Sequence, residues 1–118
     1  MNIIVDRPQL VRVVLLYLNT NFGNLTPKTY SNAPDSIFYA DSNNEILMEY
    51  DKSVKSVFIH YYLIWSRLES LFSLDYRETR LITQYWLDKT YNLSGVTTVM
   101  AMNVQVNSWM FFVNLNDI

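Results

Sequence analysis

The chain has 118 residues, half of them hydrophobic and 15% aromatic, with two glycines, three prolines and no cysteine. This composition describes one folded domain that removes roughly two-thirds of its unfolded surface from water, and it excludes disorder, disulfides and thiolate metal sites. The formal net charge of −2 gives no general attraction to phosphate backbones or anionic lipid, and it does little to oppose self-association.

The first predicted element is a helix over "DRPQLVRVVLLYLN". Asp6 suits its N-cap and Pro8 its first turn. Leu10, Val13, Val14, Tyr17 and Leu18 recur at helical spacing, and Val11, Leu15 and Leu16 make most of the remaining surface apolar. A helix apolar nearly all round is expected to be covered on more than one side. The run from Val13 to Leu18 is too short for a secretory signal and no small-residue cleavage site follows it, so the sequons at Asn24 and Asn92 read as chance matches.

"TNFGNLTPKTYSNAPD" has the composition of a long loop. Two strand-like runs then flank a turn at Asp41-Ser42-Asn43-Asn44. Strict alternation in the second run places Ile46, Met48 and Tyr50 on one face, with Glu45, Leu47 and Glu49 on the other. Val57 and Ile59 continue as a third strand. The period then changes: Tyr61, Ile64, Trp65, Leu68, Leu71 and Phe72 form one helical stripe. Asp75 and Glu78 have capping-box spacing and open another helix, whose inward face is predicted to be Ile82, Tyr85, Trp86 and Leu93, with Gly95 as its terminator.

From Thr90 to Asn116 no residue is charged. Asparagine and glutamine interrupt this tail too often for it to span a bilayer. It fits a β-hairpin with its turn at Asn107-Ser108. Val106 then faces Trp109, Val104 faces Phe111, Met102 faces Val113 and Met100 faces Leu115, so one face is wholly apolar. The other pairs Gln105 with Met110 and Asn103 with Phe112. Edge strands usually carry lysine or proline against unwanted pairing; this hairpin carries neither. The expected fold class is therefore α+β: an N-terminal helix, a three-stranded meander, a helical hairpin and a C-terminal β-hairpin over residues 1–118. The helices should pack on one face of a small, mostly antiparallel sheet.

The catalytic inventory is sparse. His60 is the single histidine, and its aromatic flanks suit a packed or capping role better than a triad or metal site. Glu45 and Glu49, with Asp41 and Asp51, suggest a wet strand face more than an acid–base pair or hard-cation site. Two glycines cannot build a phosphate cradle, so neither enzymatic activity, a cofactor, a metal nor a small-molecule substrate is expected. The three tryptophans, Trp65, Trp86 and Trp109, read as core.

The function these features support is a non-enzymatic interaction or assembly protein, of the sort a small viral or phage component would be. Its contact would be made through Gln105, Trp109, Met110, Phe111 and Phe112, with itself or another protein as partner. A small inhibitor of a host protein would look the same. An intracellular setting, host cytoplasm or virion, suits a chain without cysteine. The contrasting reading is a winged-helix module, in which Arg77, Arg80 and Gln84, with Tyr91 further along, would meet nucleic acid. Glu78, Asp88, the uncharged wing and the acidic total all count against it.

Overall fold

A computed structural model of the chain describes residues 7–101. The first helix, α1 (Arg7–Phe22), buries Val14, Leu18 and Phe22 along one stripe. It stops at Gly23, whose amide still reaches the Asn19 carbonyl at 3.1 Å. A Cβ at Gly23 would lie 2.4 Å from that carbonyl oxygen, so only glycine fits the close approach.

Four strands follow in antiparallel succession, β1 (Thr26–Tyr30), β2 (Ala33–Ala40), β3 (Ile46–Asp51) and β4 (Ser56–His60). The meander thus has one strand more than the three expected, because β1 and the start of β2 arise in the stretch that reads as loop. Pro27 and Lys28 hide β1 from a propensity reading, yet both are at home on an edge strand. A missing N–H costs nothing where no neighbour needs it, and lysine discourages foreign pairing. The turns are built as composition predicts. Asp41 Oδ1 accepts the amides of Asn43 and Glu45, and Asp51 Oδ1 accepts the amide and hydroxyl of Ser53.

Beyond β4 the chain makes one π-helical turn (Tyr61–Trp65), then α2 (Ser66–Phe72) and α3 (Tyr76–Tyr91). The wider π turn shifts the helical phase. Ile64, Trp65 and Leu68 remain buried, but Leu71, expected on the same stripe, is 60% exposed. Ser73 closes α2 in the left-handed conformation. The capping box of α3 forms as predicted: Asp75 Oδ1 accepts from Glu78 N at 2.7 Å and Glu78 Oε1 from Asp75 N at 3.0 Å, worth about 1 kcal/mol for the cap. Its buried face is Thr79, Ile82, Thr83, Trp86 and Leu87. Tyr85 instead turns outward, and Leu93 lies beyond the last turn. The helix ends on Asn92 (φ 61°), not on Gly95, whose φ of 72° serves the turn into β5.

The last described strand, β5 (Thr97–Ala101), joins the sheet parallel to β4, giving the order β1-β2-β3-β4-β5. All three helices cover one face. Val14, Leu18 and Phe22 meet Ile64, Trp65, Leu68, Ile82, Trp86 and Leu87 over Tyr39, Met48, Val57 and Ile59 of the strands. The α+β class, with helices on one side of a mostly antiparallel sheet, is therefore the observed one. The return strand of the expected hairpin lies outside the described residues, as does Asp6.

Polar bonds fix how α1 sits on α3. Asn19 Oδ1 accepts from Trp86 Nε1 at 2.9 Å and from the Thr90 hydroxyl at 3.1 Å. One turn on, the Tyr91 hydroxyl donates to the Phe22 carbonyl and accepts from the Leu25 amide. Burial pushes this phenol above its ordinary pKa, while its bond from Leu25 opposes that rise. Replacing Tyr91 by Phe keeps the ring but strands both backbone groups. In urea unfolding, Tyr91→Phe is expected to lower stability by about 1–3 kcal/mol.

Candidate interaction surface

The second face of the sheet is where the strand pairing departs most from simple alternation. A bulge opposite Ala40 inserts one extra residue into β3, because Tyr39 pairs with Met48 while Ala40 pairs with Ile46. Leu47 consequently joins Met48 in the main core, and Ile46 turns to the opposite face with Phe38 and Ala40. Sequence alternation places Ile46 with Met48 and Leu47 with Glu49. The bulge reverses both assignments, since one inserted residue flips every side chain before it.

On this second face Phe38, Glu49, Phe58 and Val99 form one row across β2, β3, β4 and β5. Phe38, Ala40, Ile46, His60 and Ala101 are buried, whereas Glu49, Phe58 and Val99 are half-buried. Tyr30 stacks edge-to-face on Phe38 at 5.3 Å. Glu49 is thus a carboxylate between two phenylalanines, accepting one hydrogen bond from the Ser36 hydroxyl at 2.6 Å. Burial raises its pKa, the Ser36 bond opposes that, and Asp51 adds to the rise.

His60 closes the same face. Its Nδ1 accepts from the Leu63 amide at 3.2 Å and caps the π turn. That bond requires the neutral ring with its proton on Nε2. Burial depresses its pKa, with Glu45 pulling the other way. Asp41 and Asp51 accept from the backbone of their own turns, Glu49 accepts from Ser36, and Glu45 acts on His60. Among the described residues no three metal-ligating side chains converge.

The helix layer presents a different surface. Val13 and Leu16 of α1, Leu71 of α2, and Leu81 and Tyr85 of α3 are each about half or more exposed. Tyr17, Ser66, Arg67, Ser70 and Leu71 line an open groove of about 360 Å³ on α2 where Tyr17 of α1 meets it. Lys89 sits over the Tyr85 ring, 5.6 Å from its centroid. The spacing signal that marks α1 as apolar all round also marks Val13 and Leu16, but it does not say which residues remain outside.

The nucleic-acid candidates share one flank of α3 by helical count: Arg77 is exposed, and Arg80 and Gln84 are half-buried. Tyr91 is not with them, since its hydroxyl and ring are engaged with α1, Tyr39 and Trp86. Glu78 lies on the other flank, in the capping box and in an ion pair with Arg7. Asp88 accepts from the Ser94 hydroxyl at 2.8 Å. The predicted contact residues Gln105, Trp109, Met110, Phe111 and Phe112 lie outside the described residues. No described helix is long and apolar enough to cross a membrane.

Comparison of the chain with protein-family models, with curated proteins and with solved structures finds no match in any of the three.

Glu49 and His60 give opposite pH dependences. His60 has a folded pKa below its unfolded value of about 6.5, so the unfolded chain takes up the proton first and stability is lost as pH falls through that value toward the folded pKa. Glu49 has a raised folded pKa, so its contribution is present below about pH 4.5 and lost as pH rises through the folded value. Thermal unfolding should therefore show Glu49→Gln more stable than wild type at pH 7 by roughly a few degrees. His60→Asn, which keeps an acceptor for Leu63 N, should flatten the loss of Tm between pH 7 and 5.

Proposed function

We propose that this protein is a non-enzymatic interaction or assembly protein whose contact surface is the C-terminal end of its sheet. The observation that carries this reading is β5. It is the last described strand of the sheet, it contains neither charge nor proline, and residues 102–116 carry no charge either. The opposite edge, β1, holds Pro27 and Lys28, the guards that natural edge strands use. An edge left unguarded suits a strand that is covered in the working state. Trp109, Met110, Phe111 and Phe112, with Gln105 beside them, supply the anchor types that protein interfaces favour. The partner is a second copy or another protein; a host-protein inhibitor or a small viral component would use the same surface.

A nucleic-acid role for α3 is the second reading. Glu78, which on sequence alone would repel phosphates, is held on the far flank by Arg7, and this leaves Arg77, Arg80 and Gln84 together. Against it stand the acidic total and the entry of β5 into the sheet parallel to β4.

Two measurements test these readings. Light scattering of the purified chain should report an oligomer, or a complex after capture of its partner. Phe112→Glu should abolish that association while leaving the far-UV circular dichroism unchanged; an unfolded variant would place Phe112 in the core and defeat the proposal. If α3 binds DNA or RNA, affinity should fall steeply with added salt and Arg77→Ala should weaken it across all sequences. No binding at low salt removes the second reading.

A further inference from the structure

The groove where α1 meets α2 has a one-sided chemistry. It is lined by Tyr17 of α1 and by Ser66, Arg67, Ser70 and Leu71 of α2. Arg67 and Leu71 are four residues apart, as are Ser66 and Ser70, so α2 presents an arginine–leucine ridge beside a serine ridge. On α1, Val13 lies one turn before Tyr17, and Leu16 flanks both. Tyr17 packs edge-on against Phe72 at 5.5 Å, which brings this stripe of α1 onto α2. Val13, Leu16 and Leu71 are 49%, 67% and 60% exposed. They make the rim of the groove an apolar patch.

Leu71 stands there because of the π turn. Sequence periodicity places it with Trp65 and Leu68 in the core, and the wide turn at Tyr61–Trp65 rotates it out. Single π turns are rare in helices and recur at functional sites. The charges point the same way. α1 contains no acidic residue, and its Arg12 adjoins Val13. Glu69, the one acid of α2, is two residues from Arg67 and accepts from Trp65 Nε1 at 3.2 Å. Among the described residues, Arg67 and the hydroxyls of Tyr17 and Ser70 have no hydrogen-bond or ion-pair partner. The groove therefore offers three donor groups, one of them a fixed cation, beside an apolar rim.

We propose that this groove docks an acidic helix of a partner protein, with an aliphatic side chain of that helix seated between Tyr17 and Leu71 and a carboxylate meeting Arg67. A helix fits because the apolar rim runs along α1 and continues onto α2, matching one stripe of anchors. A carboxylate suits a lone arginine, which can take it in bidentate fashion. A phosphate backbone or an anionic bilayer calls for several cations, and the formal net charge of −2 opposes both. A small molecule would stay largely in water in so open a groove. This face lies on the helix layer, so the inference goes beyond the sheet-end contact proposed above and gives the chain a second contact surface.

Nuclear magnetic resonance of the isotope-labelled full-length protein tests it with two synthetic helical peptides. Both carry leucine at every third or fourth position; one has glutamate beside the leucines and the other has lysine. The glutamate peptide should shift the amides of Tyr17, Ser70 and Leu71, and more weakly as salt is added. The lysine peptide should leave them in place. Arg67→Glu should weaken the glutamate peptide by at least about tenfold and admit the lysine peptide. Leu71→Ser, at an exposed position, should weaken binding with Tm unchanged. No shift at these amides, equal response to both peptides, or indifference to Arg67→Glu overturns the proposal. Sedimentation with vesicles of phosphatidylglycerol and phosphatidylcholine that is lost in Arg67→Glu also overturns it, by giving the groove to lipid. Light scattering of the purified chain reports on the sheet-end contact and not on this groove, so the two proposals fail separately.

Discussion

Helix α3 is tied at successive heights to segments distant in sequence, and the rest of the architecture follows from those ties. At its start Glu78 holds Asp75 and Arg7. In its middle Thr83 reaches Thr98 of β5. Toward its end Trp86 and Thr90 share Asn19, and Tyr91 takes up the backbone left over where α1 stops. Each is of modest net worth, but the bonds of Thr83, Trp86 and Tyr91 would leave a partly or fully buried polar group stranded if broken. Together they fix the rotation and height of α1 and the position of β5, while the apolar cluster beneath supplies most of the stabilisation.

This arrangement commits all three helices to one face of the sheet. Among the described residues the second face has no helix of its own, and it carries Phe38, Ala40 and Ile46 packed with Tyr30 and the half-buried row of Glu49, Phe58 and Val99. A carboxylate flanked by aromatics in that row is a local conflict between solvation and packing. Such conflicts are where proteins most often depart from purely structural optimisation. The parallel placement of β5 has a similar consequence. A crossover through α2 and α3 delivers the strand beside β4 and sets the buried Thr98 against Thr83 and the Arg80 carbonyl.

Much of the core was legible because it obeys simple periods. Trp65, Leu68, Ile82 and Trp86 are buried where the 3.6-residue spacing puts them, and the Asp75–Glu78 box opens α3 at the expected residue. The errors have identifiable causes. Leu71 escapes the core because a π turn precedes α2 and shifts its phase. Tyr85 turns outward because Thr79 and Thr83, polar by composition, satisfy their hydroxyls locally and fill the inward stripe instead. Ile46 and Leu47 exchange faces because a single inserted residue has no signature in alternation. β1 was concealed by proline and lysine, which mark loops in general and edge strands in particular.

The chain's local chemistry settled on its own where α3 starts, which turns form, and that the run from Thr90 to Asn116 carries no charge. These depend on neighbours within a few residues and on patterns that any fold must respect. Which face each strand shows, that β5 runs parallel to β4, that Glu78 belongs to Arg7 and that Thr83 meets Thr98 were decided only in three dimensions. Those outcomes depend on contacts between residues some fifteen to seventy positions apart. No local propensity encodes such distances, because the entropy of closing those loops is offset only when the whole layer packs at once.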